Sequence, residues 1–450
     1  MDKKSTLMTS GSIWKQILLF SIPLILGNLF QQMYSVIDSI IVGRVIGANA
    51  LAAVGASGSI IQLLIGFIIG ASAGAGVVTS QYYGAQNAEG VRKAVHTTFA
   101  IAIVCGVIIS VVGVSSTGWI LEMMDTPEEV FDEAAAYLRW FFAGHFFAVI
   151  YNMLAGILNA VGNSRRSLIF LVIATICNII LDIVFVAGLK WGVVGAAIAT
   201  DLAQAISCIC ILVYMYHSSQ SYRIRFKEIG FHDNLLKRII TLGIPTGLQN
   251  IIISLSNVIV QASVNSFGAT VMASYAAFNR IDGFILLPII SIGTAATTFA
   301  GQNYGARKLD RIHSGLKVSA GMGTGYAVVA GLVMLVAGPL IIQIFTNEPE
   351  VIEAGVKMMW YMYPFYWALA MFHIALGSVR GVGKTMESMV ISVFSLCVCR
   401  VIWIFTAVVW KHTLFMLSMC YPVTWMIGAV IVLIYLKKRR WIDIEEKVNG

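Results

Sequence analysis

Ser80-Gln81-Tyr82-Tyr83-Gly84-Ala85 returns 221 residues later as Gly301-Gln302-Asn303-Tyr304-Gly305-Ala306. At the same offset Gly47-Ala48 falls on Gly268-Ala269, Gly156 on Gly377, and Val161-Gly162 on Val382-Gly383. Ile22-Pro23 meets Ile244-Pro245 after a slip of one residue. A constant offset at separate places marks an internal duplication.

The chain around these repeats has 450 residues, 58% hydrophobic and 12% charged, with a mean hydropathy of +0.84. Soluble chains carry about 25% charged residues. The composition therefore excludes a soluble enzyme, a disordered chain and a disulfide-stapled secreted domain. Apolar runs predict helices over 14–43, 51–80, 93–118, 130–160, 166–188, 192–216, 237–265, 271–302, 312–345, 350–380, 385–410 and 414–436. The expected fold is an all-α polytopic membrane protein. Twelve transmembrane helices form two pseudo-twofold-related six-helix lobes around a central cavity. Residues 1–216 are the expected N-lobe, 217–236 a cytoplasmic linker, and 237–450 the C-lobe with a basic tail.

Charge sets the orientation. With the N-terminus inside, Lys3, Lys4, Arg92, Lys93, Arg165, Arg166, Arg223, Arg225, Lys227, Arg307, Lys308 and the run Lys437-Lys438-Arg439-Arg440 all face the cytoplasm. The outer loops carry Arg44, Lys190 and Lys411. This asymmetry places both termini in the cytoplasm of a multi-pass inner or plasma membrane protein. The net charge of +8 is thereby explained without nucleic acid. The first apolar run is too long for a cleavable signal peptide. The seven cysteines lie in apolar stretches without CxxC spacing and are read as packing residues.

Four acids fall inside the apolar runs: Asp38, Asp182, Asp201 and Asp282. Each costs about 2.5–3.5 kcal/mol at a helix centre. Gln31, Tyr34, Ser35 and Asp38 share one face of helix 1, and Asn178 and Asp182 share one face of helix 5. Thr200 and Asp201 lie inside helix 6. Two carboxylates with amide and hydroxyl oxygens suit a proton or a sodium ion, since both cannot ionise cheaply side by side. The alternative is hydrogen-bonded helix glue. In the C-lobe, Arg280, Asp282 and Arg400 have no counterpart in the first half. They are read either as a buried cluster in which Arg400 pairs with Asp282, or as cavity residues for an anionic or zwitterionic part of a substrate. His145 and Asn152 are further candidates for the N-lobe cavity wall, with Gln31 and Tyr34. The aromatic run Trp360–Trp367 fits the interfacial belt better than a cavity.

The duplicated layout, the run Asp38-Ser39-Ile40-Ile41-Val42-Gly43 and the two Gln-x-Tyr-Gly-Ala signatures resemble the multidrug and toxic compound extrusion (MATE) family. The resemblance covers roughly residues 10–440. It implies alternating-access export of small amphipathic or cationic organic compounds, driven by proton or sodium antiport. It further implies a coupling site at Asp38, Asn178, Asp182 and Thr200. Helix 7 reads Gln249-Asn250-Ile251, and helix 10 has no acid between Tyr361 and Gly381, so the chain is closer to the DinF-like branch. No Walker motif or catalytic histidine cluster is present, so neither an enzyme nor an ATPase subunit is expected. The expected partners are small organic substrates and the lipid bilayer, the chain acting as a monomer with no cofactor beyond the coupling ion. A lipid or lipid-linked oligosaccharide flippase of the same architecture is the alternative function.

Overall fold

The computed structural model describes residues 7–438 and 440–442. Twelve helices are long and apolar enough to cross a membrane. They are α1 (Ile13–Val45), α2 (Ala48–Gly84), α3 (Ala88–Met123), α4 (Glu128–Ala160), α5 (Ser164–Gly188), α6 (Gly192–His217), α7 (Asp233–Asn265), α8 (Ala269–Gly305), α9 (Leu309–Ile342), α10 (Pro349–Gly381), α11 (Thr385–Val408) and α12 (Leu414–Lys437). No strand occurs among the described residues, as a bilayer-spanning backbone that bonds within each segment requires. The protein is a multi-pass membrane protein.

The duplication reaches the backbone conformation. Gly47 and Gly268, which precede α2 and α8, both have positive φ, at 124° and 88°. Gly162 and Gly383 repeat this at 80° and 95°, and Gln86 and Arg307 at 56° each. These left-handed turns reverse the chain between consecutive spans, and glycine takes them without a Cβ clash. Pro364 lies in a 3-10 turn, Tyr363–Phe365, that interrupts α10. There the missing N–H and the ring are accommodated by a break rather than by a strained helix.

The chain forms two compact units. Their boundaries differ from the expected division at 217–236. Unit 1 includes Leu26–Gly247, and unit 2 includes Leu7–Ile25 with Leu248–Gly450. The first part of α1 thus packs with the second repeat, and the first part of α7 with the first. The linker also belongs to unit 1. Arg225 N donates to the buried His96 Nε2 at 2.9 Å, and Glu228 approaches Arg92 at 3.5 Å.

Specific contacts cause the exchange. In unit 2 the backbone of Met8 donates to Gln302 Oε1 at 2.8 Å and accepts from Arg311 Nε at 3.2 Å. Lys308 Nζ donates to Thr9 O at 2.7 Å. Met8, Ile17 and Phe20 bury their side chains against Ile292, Ala296, Phe299 and Ile374. In unit 1 Arg238 of α7 donates to Gln81 Oε1 and lies 5.6 Å over the Tyr82 ring. The glutamine of each repeated signature therefore anchors the helix start that comes from the other half of the sequence. Gly70 and Gly74 of α2 meet Gly247 and Gly243 of α7 backbone to backbone, so close that a Cβ at either α2 position would overlap the facing glycine. Small residues are what allow such approach between membrane helices.

Gly74→Val is expected to destabilise the protein by about 1–3 kcal/mol through overpacking. Gly321→Ala, where an added methyl meets nothing within 4 Å, is expected to leave stability unchanged. Thermal unfolding of the two variants in detergent, each against the parent protein, checks the contrast.

Candidate functional site: an acidic cluster in unit 1

Three helices of unit 1 bring the polar groups together. Tyr34 and Asp38 lie one turn apart on α1, Asn178 and Asp182 one turn apart on α5, and Thr200 lies on α6. Tyr34 Oη and Thr200 Oγ1 share a hydrogen bond of 3.0 Å. The Asn178 amide, oriented so that its nitrogen faces the acid, donates to Asp182 Oδ2 at 2.9 Å and accepts from Thr200 N at 3.3 Å. That orientation satisfies both ends of the amide. The Asp38 and Asp182 side chains lie within hydrogen-bonding reach of one another. Each acid also keeps one buried oxygen, Oδ1, with no partner.

Local backbone structure positions Asp182. Directly after it α5 changes to π-helical turns over Ile183–Gly188. Leu189 N donates to Val184 O at 2.8 Å, a bond one residue longer than the α-helical pattern. The extra residue rotates the end of α5 and marks the acid as the last group held by regular α geometry. Such insertions are frequent at functional sites.

Two further residues complete the surroundings. Asp201 lies so close against Gly144 of α4 that a Cβ there would overlap its carboxyl group. Tyr137, also on α4, is buried within electrostatic reach of Asp38, Asp182 and Asp201. Asp201 is among the acids that the sequence singles out; spacing on α1 and α5 does not find Tyr137 and Gly144, because α4 carries no acid between them. The one signal for them is a tyrosine and a glycine seven residues apart on one face of an apolar helix.

Other sequence candidates stand apart from this cluster. Asn152 turns back on its own helix and donates to Ala148 O at 2.8 Å. His145 is buried beside Phe141, ring centroids 4.9 Å apart, and its Nε2 has no partner. Gln31 is exposed on α1, and Arg280 is exposed on α8 and forms no ion pair among the described residues. Asp282 of α8 lies within electrostatic reach of Tyr363 instead of Arg400. Arg400 donates to Asn257 Oδ1 at 2.9 Å, so the expected Arg400–Asp282 pair does not form. The two residues sit on different helices, and no spacing rule reports which neighbouring helix a side chain meets. No group of three or more His, Cys, Asp or Glu side chains among the described residues is arranged to hold a metal ion.

The MatE family model matches the chain twice, over residues 23–184 and 245–406. The chain belongs to the MATE family. Family members are transporters and not enzymes. The two matched stretches coincide with the two copies of the internal repeat. Among curated relatives, "Probable multidrug resistance protein YoeA" of Bacillus subtilis (strain 168) is 29% identical over 394 residues, covering 86% of this chain and 85% of its own. "Multidrug export protein MepA" of Staphylococcus haemolyticus (strain JCSC1435) is 24% identical, with 78% and 77% covered. Among solved structures, a MOP superfamily transporter from Pyrococcus furiosus Vc1 (DSM3638) superposes with a TM-score of 0.90 at 22% identity, over 98% of both chains. A MATE protein in a bent conformation gives a TM-score of 0.92 at 22% identity, again over 98% of both chains. These structures share the MATE fold with the chain.

Tyr34→Phe and Thr200→Val are each expected to cost about 0.5–1.5 kcal/mol by removing one side of the same bond. The double variant is expected to cost less than their sum. A double-mutant cycle on thermal unfolding measures the coupling.

Proposed function

We propose that this chain is a secondary active exporter of small amphipathic or cationic organic compounds. It works in the cytoplasmic membrane with both termini in the cytoplasm. Export is coupled to inward movement of a proton or a sodium ion at Asp38 and Asp182, with Asn178, Tyr34 and Thr200 as neighbouring oxygen and amide groups. The observation that carries the reading is the approach of Asp38 on α1 to Asp182 on α5. Two ionised carboxylates at that separation repel, and one bound cation removes the repulsion. Occupancy of the pair is then linked to how α1 and α5 pack. The unpartnered Oδ1 atoms are the free acceptors that such a cation takes up.

The available energy is sufficient. One charge crossing about 100 mV yields roughly 2.3 kcal/mol, and each pH unit contributes about 1.4 kcal/mol. Multidrug relatives matched over more than three quarters of both chains favour organic compounds over lipid-linked oligosaccharides as cargo. A single chain suffices for the proposed cycle, because both repeats are in it.

Dye efflux in everted membrane vesicles tests the proposal. Collapse of the coupling gradient alone is expected to abolish export, which identifies proton or sodium when the two are collapsed separately. Asp38→Asn and Asp182→Asn are each expected to reduce gradient-driven export by at least about tenfold while leaving the protein in the membrane. Undiminished export by both variants would remove the coupling role. For a proton, acidifying the side opposite the cytoplasm accelerates export; for sodium, the rate follows sodium at fixed pH.

A further inference from the structure

The duplication allows the two units to be compared position by position. In unit 1 the acidic cluster comes from α1, α5 and α6; the equivalent helices of unit 2 are α7, α11 and α12. The 221-residue shift puts Ile179 on Arg400, Thr200 on Tyr421, and the π turns Ile183–Gly188 on the π turns Ile404–Val408. The one-residue slip in α7 puts Ser35 on Asn257. Asn257, Arg400 and Tyr421 touch one another, whereas Asp38 and Asp182 fall on Val260 and Trp403, so the polar centre of unit 2 holds an arginine and no acid at the equivalent positions.

Arg400 Nη1 donates to Asn257 Oδ1 at 2.9 Å, and its guanidinium lies 4.7 Å over the Tyr421 ring. The Tyr421 and Tyr275 hydroxyls share a hydrogen bond of 2.5 Å. Whichever phenol donates, the accepting one keeps its own hydrogen for another acceptor. The arginine is 3% exposed, its Nε has no partner, and no acid lies within ion-pair distance among the described residues. A second π segment, Phe394–Val398, precedes it on α11, so Arg400 is carried on a short α-helical stretch between two irregular turns.

One amide oxygen and one ring face leave Nε without an acceptor and the guanidinium without an acidic partner among the described residues. Lipid offers no acceptor, and an uncompensated buried cation is costly. A small anion supplies what is lacking, because charge-assisted bonds to guanidinium are the strong ones. We propose that unit 2 contains a site for one small dehydrated anion, a halide or a carboxylate group, held by Arg400 beside Tyr421, Tyr275 and Asn257. At 3% exposure the arginine admits only a ligand small enough to enter without water. The site lies on the helices equivalent to those of the acidic cluster but at other positions, and it does not depend on the efflux reading.

The experiment is thermal unfolding of the purified full-length protein in chloride, in acetate, and in bulky gluconate at equal ionic strength. The melting temperature is expected to rise saturably in chloride or acetate relative to gluconate. A response to chloride alone identifies a free inorganic anion as the occupant; a response to acetate identifies a carboxylate. Arg400→Gln is expected to raise the half-effect concentration by about tenfold or more. Should that variant fail to fold, Asn257→Asp carries the test. It replaces the amide oxygen by a carboxylate that answers the guanidinium internally, so it is expected to fold and to lose the anion response. An anion response unchanged in Asn257→Asp, or no difference among the three salts in the parent protein, overturns the proposal.

Discussion

An ionisable group inside a bilayer must be answered by another part of the protein, since hydrocarbon offers neither acceptors nor donors. That constraint gathers Asp38, Asn178, Asp182 and Thr200 from three helices into one cluster. It also explains why Arg400 draws Asn257 and Tyr421 around itself. The packing of each unit serves these demands. α4, most of whose residues are buried, supplies Gly144 and Tyr137 to the acidic cluster, while α5 buries Asn178 and Asp182 and leaves Ile176, Ile180 and Ile183 exposed.

The two repeats keep the same skeleton while their polar centres diverge. Positive φ at Gly47 and Gly268 and at Gly162 and Gly383 fixes equivalent turns. The π segments that end α5 and α11 recur at equivalent positions. What differs is charge: Asp182 precedes one π segment, and Trp403, three residues after Arg400, precedes the other. A duplicated scaffold can carry unlike polar centres without a second fold.

Hydropathy and charge make the twelve spans legible in the sequence, because a bilayer imposes a length on every crossing. The repeat is legible because Gln81 and Gln302 recur at a fixed offset. Four-residue spacing gives the polar faces of α1 and α5, and the structure joins them. Periodicity is a property of one helix, however, and says nothing about its neighbour. That is why Arg400 reads as a partner for Asp282 when Asn257 holds it, and why Asn152, which bonds its own helix at Ala148, reads as a wall residue. The division at 217–236 reflects composition, whereas the units divide inside α1 and α7, where Met8 and Arg238 meet the signature glutamines.

The exchanged helix starts bear on biogenesis. Residues 7–25 leave the ribosome long before the partners that bury them, among them Phe299, Gln302, Arg311 and Ile374. For most of synthesis this leading segment has no docking surface. Unit 1 in turn stays incomplete until Gly243 and Gly247 have been inserted. Each unit therefore completes its packing only with residues from the other half of the sequence. A nascent protein released early would present an unsatisfied glycine seam to the insertion and quality-control machinery.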